Sequence, residues 1–152
     1  MSAKRAACLG TLALVLGACS GPKPDEPPHV NLDADVCAEC GMILSDERSV
    51  TATIIAGERG HSALLFDDFN CQIQYETAHP EGAIIRRWAH DYNTRAWLDS
   101  ASAHFVRAKE LYTPMMSHIV AFARAQDAAA LADQTSGTVS DFSGMQDALR
   151  TE

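Results

Sequence analysis

Cys37-Ala38-Glu39-Cys40-Gly41-Met42 places two thiols and a thioether within six consecutive residues. Thiolate and thioether sulfur are soft donors. Among biological metals they suit Cu(I) best and zinc second, and they exclude hard, oxygen-seeking cations. Gly41 belongs to the pattern, because a residue without a Cβ opens backbone conformations that let Cys40 and Met42 face one point. Other readings share the C-x-x-C spacing: zinc knuckles, thiol–disulfide exchange sites and plain disulfides. Structural zinc takes four protein ligands, and the chain has no second C-x-x-C and no H-x-x-x-H. A thioredoxin-like motif follows a hydrophobic strand and opens a helix, whereas Val30 to Val36 forms no strong strand and follows a proline-rich stretch. A disulfide that pins a turn stays open at this point, as does redox exchange by Cys37 and Cys40.

A second group of soft and borderline donors stands in Thr113-Pro114-Met115-Met116-Ser117-His118. The proline sets the two methionines and the histidine on a loop rather than on a regular apolar face. Methionine commonly fills gaps in a core, so this stretch gains weight only beside the first one. His118 either ligates or opens the strand that follows.

These donors have to be positioned by one domain. The 152 residues support a single core of ordinary size, and 47% hydrophobic with 21% charged residues excludes a fibre or a disordered chain. A net charge of −8 with no basic cluster argues against a nucleic-acid partner.

Residues 1–18 read as a targeting segment: Lys4 and Arg5, then an apolar run from Ala6 to Val15 too short to span a membrane permanently. Its end, Leu16-Gly17-Ala18-Cys19, resembles the lipobox of bacterial lipoproteins, which implies cleavage before Cys19 and a lipid on its sulfur. Losing two of the 12 basic residues would take the formal charge from −8 to −10. Three cysteines then remain, Cys37, Cys40 and Cys71. An odd count cannot pair fully within one chain. Residues 19–35, with Pro22, Pro24, Pro27 and Pro28, are expected to form an extended tether.

The domain proper is expected over 36–135. The β-branched run Val50 to Ile55 and the stretch His61 to Phe66 predict a hairpin across Gly57-Glu58-Arg59-Gly60. A helix capped by an aspartate follows through Phe69 and Ile73, then a strand from Ala83 to Ala89, which makes β-β-α-β. A weaker copy is expected from strands near 96–98, 104–107 and 119–123 and a helix over 125–133. Asp68 or Asp67 reads as the cap, with its neighbour solvated, and Cys71 as a small core residue. His61, His79, His90 and His104 read as surface or strand residues, and Trp88 and Trp97 as core. Residues 136–152 mix Gly, Ser and Asp with a short amphipathic piece around Met145 to Leu149 and are expected to fray.

Cys40-Gly41-Met42, Phe66-Asp67-Asp68 with Cys71, and Thr113-Pro114-Met115 leading into Val120-Ala121-Phe122 occur in the order found in the NosL family, which the chain resembles over about residues 35–124. The resemblance implies an α+β fold of two β-β-α-β repeats, related to that of the organomercurial lyases. It also implies a periplasm-facing, membrane-anchored Cu(I) chaperone rather than an enzyme, serving nitrous oxide reductase and its assembly machinery. By the family motif the donors fall on Cys40, Met42 and Met115, with Cys37, Met116 and His118 as further candidates and zinc as a second possible metal. One departure stands out: small residues often follow the Pro-Met pair, whereas this chain has Met116-Ser117-His118.

Overall fold

The computed structural model describes residue 23 and residues 25–58 and 60–151, so the lipobox and Cys19 lie outside the described residues. The β-branched run forms β1 (Thr51–Gly57), which pairs antiparallel with β2 (Gly60–Phe66) in continuous register from Thr51↔Phe66 to Gly57↔Gly60. Gly60, at φ +133°, takes a backbone conformation that side-chain-bearing residues avoid, and this closes the tight turn. Helix α1 (Phe69–Ala78) follows, and β3 (Ile84–His90) returns on the other side of β1. A short β4 (Trp97–Asp99) extends this sheet beyond β3, giving the order β2-β1-β3-β4.

The second half repeats the plan. Strand β5 (His104–Arg107) pairs with β6 (Ile119–Phe122), α2 (Ala125–Thr135) follows, and β7 (Thr138–Ser140) returns to the free side of β5, giving β6-β5-β7. In each half the opening strand is central, flanked by its hairpin partner and by the strand after the helix. The expected β-β-α-β duplication therefore holds, with two shifts. The strand near 96–98 belongs to the first sheet, and the closing strand of the second repeat is β7.

Residues 136–152 do not fray as a unit. After β7, α3 (Phe142–Arg150) is capped by Asp141, whose side chain accepts from the Gly144 N–H at 2.8 Å. Met145 and Leu149, four residues apart, share one face of α3 and are 2% and 9% exposed. They complete the core between the halves with Phe69 and Ile73 of α1, Ala89 of β3, Phe105 of β5, and Ile119 and Ala121 of β6. Burying a side chain of Met145's size contributes about 1.5–3 kcal/mol, enough to hold a short helix that propensity alone would leave marginal.

The tether also ends earlier than expected. Pro28 is buried, Val30 packs on the core, and the Asn31 N–H donates to Asp35 Oδ2 at 2.7 Å. Asp33 N–H donates to Leu44 O and Leu44 N–H to Asp35 O, each at 2.9 Å, so residues 28–35 are part of the domain. Trp88 and Trp97 pack as expected on the first sheet. No helix of the described residues is long and apolar enough to cross a membrane.

Candidate metal centre

The Cys37 loop is a stapled turn. Val36 and Ile43 form an antiparallel bridge, Cys37 N–H donates to Met42 O at 2.8 Å, and Gly41 N–H donates to Cys37 O at 2.9 Å. Gly41 sits at φ +71°, and a Cβ there would meet nothing within 4 Å, so its conformation, not crowding, demands glycine. Ala38 N–H donates to Leu65 O at 2.8 Å, which fastens the turn to β2.

The third thiol comes from the first turn of α1. The Sγ atoms of Cys37, Cys40 and Cys71 all lie within 4.8 Å of one another, and all three thiols are free. Metal–thiolate bonds of about 2.3 Å place sulfurs roughly 4 Å apart around one ion, so small side-chain adjustments close this triangle on a metal. No other Cys, His, Asp or Glu among the described residues joins the group. Methionine aside, the group offers three ligand atoms, one fewer than the four protein ligands of a structural zinc site. Cys37 and Cys71 are buried at 2% and 1% exposure among Leu44, Val50 and Phe66, while Cys40 is exposed at the mouth.

The trio is electrostatically unequal. The Cys71 thiol hydrogen-bonds to Cys37 and, against the opposing effect of burial, holds the Cys37 thiol down at about 5, helped by backbone N–H groups of Cys40, Asp67 and Glu39. Such a nest of amides around one sulfur favours the thiolate. Cys71 is correspondingly pushed far up by the same hydrogen bond to Cys37 and by burial. Burial also raises Cys40, although the Met42 N–H opposes it. Asp67 is not solvated as expected: it is 1% exposed, its Oδ1 lacks a partner, and burial followed by the Cys37 charge lifts its carboxyl to about 6.

Asp68 is the cap, and it does more than cap. Its Oδ1 accepts from the Asn70 N–H at 2.8 Å and the Cys71 N–H at 3.4 Å. Its Oδ2 accepts from Thr113 Oγ1 at 2.8 Å and from the N–H groups of Met115 and Ser117, each at 3.1 Å. Asn70 Nδ2 adds a bond to Met115 O at 3.0 Å. One carboxylate thus joins the helix bearing Cys71 to the loop bearing Met115. That loop curls tightly: Met116 and His118 sit at φ +60° and +57°, conformations that cost a side-chain-bearing residue and suit a small one.

The sequence-derived donors divide among three places. Cys37 and Cys40 meet in the trio, and Met115 packs against the cluster holding Cys37 and Cys71. Met42 is 53% exposed beside them. Met116 and His118 instead line a cleft of about 660 Å³ with Arg107, Lys109 and Glu110. His118 Nδ1 lies 2.7 Å from Leu111 O, and since a carbonyl only accepts, Nδ1 donates. Cys71 is buried, as a core residue should be, but it is also the third thiol. The odd cysteine count is the signal in the sequence that points to it.

The fold and site together define a small α+β domain of two β-β-α-β repeats with three thiols gathered near its surface. The NosL family pattern matches residues 29–149, and the chain belongs to that family. Its fold is similar to that in the crystal structure of the copper chaperone NosL from Shewanella denitrificans, with a TM-score of 0.64 and 18% identity over 77% of this chain and 96% of that one. A comparison with curated proteins gave no match.

Two outcomes follow from the geometry. Asp68→Ala removes the acceptor of the Met115 and Ser117 N–H groups and the cap of α1, while the Thr113 hydroxyl keeps Ser117 Oγ at 3.1 Å; each lost partner costs about 1–3 kcal/mol and a lost cap about 1 kcal/mol, so urea unfolding should show a loss above about 3 kcal/mol. Thiolate absorbance in the metal-free, reduced protein should rise by one thiolate equivalent near pH 5, and Cys37→Ser should abolish that step.

Proposed function

We propose that this chain is a Cu(I) carrier that takes up one ion at Cys37, Cys40 and Cys71 and passes it on by ligand exchange. The observation that carries the reading is the thiol triangle itself, with two buried sulfurs, one exposed sulfur and no histidine or carboxylate joining the group among the described residues. Soft sulfur in an apolar surrounding favours Cu(I) over Cu(II), which prefers tetragonal nitrogen and oxygen donors. Cys37 and Cys71 hold the ion away from water, Met115 shields or supplements them from the Asp68-fastened loop, and Cys40 presents it at the surface. An incoming ligand attacks at the open position, so release needs no unfolding. Met42, and Met116 with His118 in the neighbouring cleft, are the further donors available along an exit route. Zinc fits the same thiols less well as cargo, because it favours four ligands. No bond-making chemistry is assigned to the chain.

The recipient we infer is nitrous oxide reductase, with its assembly machinery, as the family resemblance implies and as the name of the Shewanella protein supports for the copper part. The lipobox supports a periplasm-facing membrane anchor through Cys19. Each buried acyl methylene adds about 0.8 kcal/mol of attachment.

Anaerobic titration of the reduced protein should give one Cu(I) per chain. Cys37→Ser and Cys71→Ser should each weaken binding at least about tenfold, or 1.4 kcal/mol, and Met115→Ala by less. Cys37 is already ionised at neutral pH, while Cys40 and Cys71 are held protonated, so binding should release roughly two protons and tighten as pH rises. Stoichiometric binding that survives loss of all three thiols would end the proposal; turnover of a disulfide substrate that needs only Cys37 and Cys40 would replace it with thiol–disulfide exchange. For the anchor, Cys19→Ser should move the full chain from the detergent-extracted membrane fraction to the soluble one.

A further inference from the structure

Four of the eight exposed large hydrophobic side chains among the described residues fall in the segment that carries Cys37 and Cys40. Leu32, Val36, Met42 and Ile43 are 37%, 54%, 53% and 55% exposed, all within one short segment. Val36 and Ile43 face one another across their backbone bridge, so they form a contiguous step at the base of the loop that carries Cys40, and Met42 adjoins it in the chain. Folding does not require these positions to be apolar, since the buried face of the same loop is supplied by Cys37 and Leu44. Around them the chain is net acidic: from Asp25 to Glu47 it carries seven carboxylates and no lysine or arginine, and of these Asp25, Glu26 and Glu47 pair with Arg86, Lys23 and Arg95. Asp33 and Glu39 are exposed there.

Ligand exchange brings the geometry to a conclusion. For an ion to pass directly between two proteins, both donor sets must share one coordination sphere, with sulfurs roughly 4 Å apart. Cys40 is the exposed thiol of the trio, so the surface around Cys40 must touch the recipient. We propose that Val36, Ile43 and Leu32 are the docking face for a copper-accepting protein whose own site lies in an apolar surface rimmed by lysine and arginine. The acidic surround selects such a partner and speeds encounter. It also disfavours a second copy of this chain, whose identical carboxylates would meet across the two-fold contact. A small apolar centre with a charged rim suits a transient complex rather than a permanent one.

This inference rests on the carrier reading, and the test separates the two. In cells lacking the chain, nitrous oxide reductase is isolated after complementation with the wild type, with V36S/I43S, or with Asp33→Asn, and its copper content is measured. Each purified variant is also titrated with Cu(I) and melted. V36S/I43S should bind Cu(I) within about twofold of wild type and melt like it, yet lower reductase copper at least about fivefold, or roughly 1 kcal/mol; Asp33→Asn should lower it less. Full restoration by V36S/I43S overturns the docking face alone. Failure of the wild type to restore copper overturns delivery and docking together. Wild-type self-association in sedimentation that V36S/I43S abolishes assigns the face to a second copy and also overturns the proposal.

Discussion

The carboxylate of Asp68 is the constraint on which the site depends. It is fully buried, and its two oxygens face different parts of the chain: one ends α1, the other gathers three donors from the 113–117 loop. A buried charge is costly unless it is fully hydrogen-bonded, and here several donors converge on it. Segments more than forty residues apart are thereby fixed to each other with little freedom. Because Cys71 lies within the capped turn and Met115 within the gathered loop, the latch sets the distance between them. The left-handed conformations at Met116 and His118 are the strain that this gathering imposes on the loop.

The thiols use the same end of α1 differently. Three ionisable sulfurs this close cannot all ionise without a cation among them, because like charges in an apolar surround repel strongly. The metal-free state resolves this by giving one sulfur the charge and another the proton that stabilises it. The hydrogen bond from Cys71, joined by amides of the Cys37 turn and of Asp67, puts the charge on Cys37. Asp67 bears the consequence, as a neighbouring carboxyl raised by burial and by that thiolate.

The two repeats have the same strand order but unequal duties. The first carries two helix-start aspartates and the thiol from α1, whereas α2 begins at Arg124 without a side-chain cap. The second repeat contributes its long β5–β6 connection, which carries the 113–118 loop across to the first. The shared core of Phe69, Phe105, Ile119 and Met145 keeps that connection in reach.

The local patterns were legible in the chain: the β-branched run of β1, the glycine-bounded hairpin, the aspartate before α1, and the soft donors of 37–42 and 113–118 follow from residue type and spacing. The repeat was visible through its first half, where alternation and caps are strong. Strand β7 was hidden, since three mostly exposed residues carry little periodicity, and α3 was hidden by the Gly and Ser around its few apolar positions. Residues 28–35 read as tether because proline content speaks to local stiffness and not to docking. What only the tertiary structure decided was which sulfurs meet. Cys71 looks like an ordinary core residue in sequence, and Met116 and His118 look like partners of Met115. The turn of α1 and the curl of the loop, both fixed by bonds to Asp68, direct the first toward Cys37 and the other two into a different cleft.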